Sequence, residues 1–259
     1  MHSEWIEDLT ALSNTPDIGV ADPRDSAELL RMKRATPARI CVGHVGPRYR
    51  TRTALRFRAD QAAAADAVFS EVDPRTVSEL GLFEIQTLCR DKYEMLTRPD
   101  LGRRFSDETL RLLRERCIHS PQVQIYVGDG LSAPSVAANI PDLLPGILDG
   151  LTHEGVSVGT PFFVRYCRVN TARYIAPALD STVTCVLIGE RPGLLTAESM
   201  SAYIAYRARP DMEESEYTVV SNISSHSLPP VEAAAVITEL ILKILRFKKS
   251  GVALNTADT

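Results

Sequence analysis

The chain has 259 residues and a net charge of -4, which argues against general nucleic-acid binding and leaves room for one large α/β domain with an extra N-terminal layer, or two small domains. No apolar run approaches the roughly 18 residues of a membrane helix, and the acidic start Met1-His2-Ser3-Glu4 lacks the apolar core of a signal peptide, so an intracellular protein is expected. The cysteines Cys41, Cys89, Cys117, Cys167 and Cys185 are scattered, odd in number and without C-x-x-C spacing; reduced packing thiols are expected, not a disulfide frame or a zinc site.

Met1 to about Arg34 reads as charged and helical, broken at Asn14-Thr15-Pro16 and Ala21-Asp22-Pro23. Ala38 to Pro47 is a short apolar run closed by glycine and proline, with Cys41 in a strand-like setting. An arginine-rich passage follows (Arg48, Arg50, Arg52, Arg56, Arg58), readable as a site for phosphate or an acidic partner surface, or as a solvated face with scattered ion pairs. Helices are expected over Ala59 to Phe69, Ser78 to Leu88 and Ser106 to Cys117, the last with Ser106 as its cap.

Beyond about Ser120 the texture changes. Strands are expected at Gln122 to Val127, Pro161 to Arg168, Thr182 to Ile188 and Tyr217 to Ile223. Helices are expected at Leu131 to Leu148 (kinked or split by Pro141 and Pro145), Thr171 to Leu179, within Thr196 to Tyr206, and Pro230 to Lys248. This alternation predicts an α/β fold: a Rossmann-like, mostly parallel sheet flanked by helices, with an N-terminal helical segment. Three regions are expected: an N-terminal helical extension over 1–37, a mainly helical segment packing on the core over 38–120, and the α/β region over 121–259.

Ligands of open α/β sheets bind outside the carboxyl ends of the strands. Glu190-Arg191, in the turn Gly189 to Gly193 after the third strand, therefore sits where ligand chemistry is expected; the plainer reading is a Glu–Arg pair that shapes the loop. Ser221-Asn222 adds small polar groups at the same edge. Gly128-Asp129-Gly130-Leu131-Ser132-Ala133 spells G-x-G-x-x-A between a strand and a helix, the position of a dinucleotide fingerprint. The next strand ends in Arg165-Tyr166-Cys167-Arg168 without the acidic residue a ribose needs, so the competing reading is a tight turn capped by Asp129 or Ser132. There is no P-loop or H-E-x-x-H, and His2, His44, His119, His153 and His226 have no metal spacing. No catalytic acid, base or nucleophile stands out.

Several stretches in fixed order carry a closer resemblance. They are A-R-I-C-V-G-H-V-G-P-R-Y-R-T-R-T from Ala38, L-R-F-R-A-D-Q-A-A-A-A-D-A-V-F-S-E-V from Leu55, and Q-T-L-C-R-D-K-Y-E-M-L-T-R-P-D-L-G-R-R from Gln86. V-Q-I-Y-V-G-D-G-L-S-A from Val123, S-V-G-T-P-F-F-V-R-Y from Ser157, I-G-E-R-P-G from Ile188, S-N-I from Ser221 and P-P-V-E-A from Pro229 complete the set. Over roughly Ala38 to Val252 the chain resembles the small subunit of ethanolamine ammonia-lyase.

The resemblance implies a subunit of an adenosylcobalamin enzyme that converts ethanolamine to acetaldehyde and ammonia. In that family the large subunit, a TIM barrel, carries substrate binding and radical chemistry, and the small subunit helps to enclose the corrin. It implies a hetero-oligomer with the large subunit, no nucleic-acid or membrane partner, and a cytoplasmic location consistent with a bacterial microcompartment. The cofactor is expected base-on, its own dimethylbenzimidazole below the cobalt, which suits the absence of D-x-H here. Three cofactor contacts carry over by motif: Val169, Glu190 and Val219. The chain departs from the family pattern at His44 (usually arginine), Cys167 and Leu195 (usually glycine) and Ser224 to Ser227 (usually histidine and glycines). Two other readings are a stand-alone nucleotide-binding oxidoreductase and a partner-binding scaffold without turnover.

Overall fold

In the computed structural model of the chain, which describes residues 18–36 and 38–256, three of the four apolar runs predicted as strands form the middle of a six-stranded sheet and the fourth, Tyr217 to Ile223, forms one edge. The chain divides into two compact units, Met1–Ala65 with Gly193–Leu195, and Asp66–Pro192 with Thr196–Thr259. The helical reading of residues 1–17, with its break at Asn14-Thr15-Pro16, lies outside the described residues.

The described part of the first unit holds helix α1 (Ser26–Arg34), the two-residue strands β1 (His44–Val45) and β2 (Arg48–Tyr49), and the larger part of α2 (Thr51–Phe69). Asp25 caps α1 by accepting from the Glu28 amide at 2.9 Å, and no α1 residue is buried. Asp60 is buried and ion-paired with Arg39 and with Arg56 (2.9 Å), so part of the arginine-rich passage is structural. Cys41 is not in a strand: its φ is +58° and its carbonyl accepts from the Gly19 amide at 2.8 Å.

The second unit carries the sheet, in order β3 (Phe83–Gln86), β5 (Phe162–Arg165), β4 (Val123–Gly128), β6 (Val183–Gly189), β7 (Met200–Tyr206), β8 (Thr218–Ile223). The β3–β5, β5–β4 and β4–β6 pairs are parallel; β7 is antiparallel to both neighbours. The central strands are buried on both faces, which explains their unbroken apolar runs. Val123, Ile125, Val127 and Leu187 face α6 (Pro134–His153) and α8 (Pro230–Phe247). Tyr126, Val186 and Ile188 point the other way, toward α5 (Asp107–Arg116) and α7 (Ala172–Leu179). Helices α3 (Pro74–Glu79), α4 (Lys92–Thr97) and α9 (Val252–Asn255) complete the unit. The result is the expected mostly parallel α/β sheet flanked by helices.

Three local expectations are corrected. Ser78 to Leu88 is not one helix: α3 ends at Glu79, the chain turns at Gly81 (φ +68°), and Phe83–Gln86 is the edge strand β3. Thr196 to Tyr206 holds a strand, not a helix: Met200, Ala202 and Ile204 face one core while Tyr203 and Ala205 face the other, a period of two written in small residues. Because β7 returns antiparallel, strand and helix do not alternate throughout. Helix α6 runs unbroken through Pro141 and Pro145. Both prolines lie on its exposed face, where water can satisfy the carbonyls they leave unpaired, while Val136, Ile140, Leu144 and Ile147 bury the opposite stripe.

Candidate functional site

The chain leaves β4 through α6 on one face of the sheet and leaves β5 through α7 on the other. Loops that diverge in this way open a crevice at the carboxyl ends of the strands. A cleft of about 370 Å³ lies there. Gly130 and Leu131 from the β4 turn, Arg168 and Val169 from the β5 loop, and Glu190 and Arg191 from the β6 tip line it. Ile188, Tyr203, Cys167 and Met95 supply apolar wall.

Glu190 is positioned by strand pairing. Its amide donates to the Ser199 carbonyl (3.0 Å), closing the β6–β7 turn. Its carboxylate accepts from the Ser199 hydroxyl (2.6 Å), the Ser201 hydroxyl and the Asn222 amide (3.3 Å). Neutral donors thus hold the carboxylate at the cleft in place of the Glu–Arg pair; Arg191 is exposed. Ser221-Asn222 contributes a backbone N–H, made available by the left-handed φ of +59° at Asn222.

Val169 begins a short 3-10 turn after β5 and packs against the same clusters as Tyr203. Val219 is 44% exposed and pairs with Tyr203 across β7–β8, so the two side chains share a face of the sheet. Tyr203 therefore links all three carried-over positions. Burial raises its phenol pKa, and the carboxylates of Glu190 and Glu214 push the same way.

The Gly128-Asp129-Gly130 turn is occupied by the protein itself. Gly130 has φ +55°, and a Cβ there would fall 2.2 Å from the Gly189 carbonyl oxygen. A Cβ on Gly128 would meet the Cys167 side chain at 2.6 Å. The glycines thus let the β4, β5 and β6 ends approach closely. The Leu131 amide donates to Gly189 (3.0 Å) and the Ser135 amide to the Ser132 hydroxyl (3.3 Å), so these groups are not free to cradle a pyrophosphate. This favours the capped-turn reading over the nucleotide fingerprint.

Buried Asp129 accepts from the amides of Tyr166 (3.0 Å) and Cys167 (2.8 Å). Lys92, buried at the start of α4, reaches Asp129 Oδ2 at 3.4 Å and donates to the Gly130 carbonyl at 2.7 Å. Burial holds the Asp129 pKa above its ordinary value against the opposing pull of Lys92 and the two amides. This pair fixes the β4 turn and the β5 loop, two walls of the cleft. Sequence reasoning singled out Asp129 as a cap and missed Lys92; the lysine stands in the charged run Arg90-Asp91-Lys92, which gives no local sign of burial.

The thiols are packing groups. Cys89, Cys117, Cys167 and Cys185 are buried and all five cysteines are free. Burial pushes the Cys117 thiol up to about 11 and Cys185 up to about 12. Among the described residues no group of three or more His, Cys, Asp or Glu could hold a metal ion, and no helix is long and apolar enough to cross a membrane.

Comparison of the sequence with known proteins points to a family. The family model described as ethanolamine ammonia-lyase light chain (EutC) matches residues 26–255. The ethanolamine ammonia-lyase small subunit of Clostridium tetani is 51% identical over 249 residues, covering 96% of this chain and 84% of that protein. Its counterpart from Clostridium perfringens is 48% identical over 251 residues, covering 97% and 85%. The small subunit of Clostridium acetobutylicum is 50% identical over 227 residues, covering 88% and 94%. The chain belongs to the ethanolamine ammonia-lyase small-subunit family.

Proposed function

We propose that this chain holds one side of base-on adenosylcobalamin in a two-subunit ethanolamine ammonia-lyase, which converts ethanolamine to acetaldehyde and ammonia. The observation that carries the reading is convergence: Val169 and Glu190 line one cleft, and Val219 lies opposite Tyr203 of that same cleft.

The residues fit the group. A corrin is broad, partly apolar and edged with amide side chains. Val169, Tyr203 and Ile188 offer apolar contact, and the Glu190 carboxylate accepts hydrogen bonds from N–H donors. The three donors already on Glu190 fix its direction, so less ordering entropy is lost when a ligand amide arrives. The cleft volume of about 370 Å³ lies at the low end for small-molecule sites. It suits an edge of the corrin, with the large subunit covering the rest.

When bound, the cofactor supplies the radical chemistry. This chain's contribution is to orient the corrin and exclude water from its edge; no side chain in the cleft is arranged as a proton-transfer pair. Substrate binding belongs to the large subunit.

Reconstitution tests the reading. The chain is mixed with the large subunit from the same source, adenosylcobalamin and ethanolamine, and acetaldehyde is followed. Turnover that requires both chains is expected. Failure of the two chains to associate, or an equal rate from the large subunit alone, would refute it.

A further inference from the structure

Arg168 is a cation at the wall of the cleft that forms no ion pair among the described residues. Its Nη2 donates to the Met95 carbonyl at 2.7 Å, the one hydrogen bond its guanidinium makes among the described residues. Its Nε is buried and has no partner. No carboxylate among the described residues pairs with it; the nearby Asp129 is engaged by Lys92 and two backbone amides.

The surroundings make this arrangement specific. Gly102 leaves space for the side chain: a Cβ there would lie 2.9 Å from Arg168 Cγ. The Arg168 amide donates to the Gly102 carbonyl (3.1 Å), and its carbonyl accepts from the Thr171 hydroxyl (2.8 Å), so the backbone is fixed at both ends. Arg191 lines the same cleft and adds positive charge. Glu190 stands there too, but the donors on its carboxylate are two hydroxyls and an amide, and Arg168 is not among them.

A half-buried charge without a counter-ion is unfavourable unless a ligand completes it. Burial, with Arg103 close by, lowers the Arg168 pKa, as expected of a guanidinium lacking an anion. Arginine's planar fork matches phosphate oxygens, and on an apolar-walled cleft it gives such a contact both direction and strength.

We propose that Arg168 is an anion-binding residue of the cleft and takes a phosphodiester oxygen of the ligand. The identity of that ligand rests on the cobalamin reading above. Cobalamin carries its peripheral carboxyls as amides, so the phosphodiester of its nucleotide tail is the one anionic group it offers.

The test is equilibrium binding to the assembled two-subunit complex, followed by the corrin's absorbance, with adenosylcobalamin and with adenosylcobinamide, which lacks the phosphodiester. Arg168→Met is expected to weaken adenosylcobalamin binding by about 10- to 100-fold, the range for a lost hydrogen bond to a charged group, and to leave adenosylcobinamide binding unchanged. Arg168→Lys, which keeps the charge, is expected to recover part of the loss. Equal weakening of both corrins, or no change in either, would overturn the proposal while leaving the cobalamin reading intact. If the unaltered complex binds neither corrin, that reading fails and this proposal with it.

Discussion

Replacing Lys92 by methionine isolates the strut that shapes the cleft. The substitution keeps most of the side-chain volume but removes the charge beside Asp129 and the donor to the Gly130 carbonyl. Breaking a buried ion pair from one side costs about 3–5 kcal/mol. Asp129 keeps two backbone N–H donors and its contact with Lys92 is long at 3.4 Å, so the lower end, about 3 kcal/mol, is expected near neutral pH. For a chain of this size that lowers Tm by about 6–12 °C.

The effect has a pH signature. Burial already holds the Asp129 pKa above its ordinary value, and Lys92 opposes that rise. Loss of Lys92 therefore raises it further. A group whose folded pKa is raised contributes stability that is full below its unfolded pKa, about 3.9, and is lost as pH rises through the folded value. The variant's deficit should be largest at pH 7–8 and shrink as pH falls and the carboxyl takes up a proton. Scanning calorimetry of both proteins as pH is lowered reads it. A deficit below about 1 kcal/mol at pH 8, well short of the buried-pair range, or one that does not shrink as pH falls, would refute the claim that this pair supports the walls.

Glu190→Ala should raise the apparent adenosylcobalamin dissociation constant of the assembled enzyme by about tenfold, the scale of one charge-assisted hydrogen bond; an unchanged constant in a titration would reduce Glu190 to a loop-shaping residue. Gly130→Ala forces a left-handed backbone and a contact with the Gly189 carbonyl, so a loss of about 2–4 kcal/mol is expected in urea unfolding. Native-state labelling with a thiol reagent should modify Cys41 quickly and spare the four buried cysteines; rapid labelling of Cys185 would contradict the sheet's packing.

The sequence made the middle of the sheet legible because β4 and β6 are buried on both faces and read as continuous β-branched and apolar runs. It hid β7, whose alternation is written in Ser, Ala and Tyr with a single β-branched residue, and so resembles a helix former. It hid β3 as well, a four-residue edge strand directly after a helix. Missing β7 also meant missing Tyr203, the residue that links Val169, Glu190 and Val219. Glu190 was readable from strand-end position because the turn residues Gly189, Pro192 and Gly193 mark it. Val169 and Val219 carried no local chemical signal and came from family resemblance alone. The G-x-G-x-x-A spelling pointed toward a nucleotide because local pattern cannot tell a glycine facing a ligand from one facing a neighbouring strand; the carbonyl of Gly189 decides it. Arg168 was noticed only as the wrong residue for a ribose, since its lack of a counter-ion appears only in three dimensions.

The central claim is that the cleft at the ends of β4, β5 and β6 holds the corrin edge. A structure of the two-subunit complex with adenosylcobalamin tests it most directly. The account predicts corrin atoms in contact with Val169, Glu190 and Val219, with Tyr203 beneath them. A corrin enclosed wholly by the large subunit, with that cleft filled by water, would contradict it.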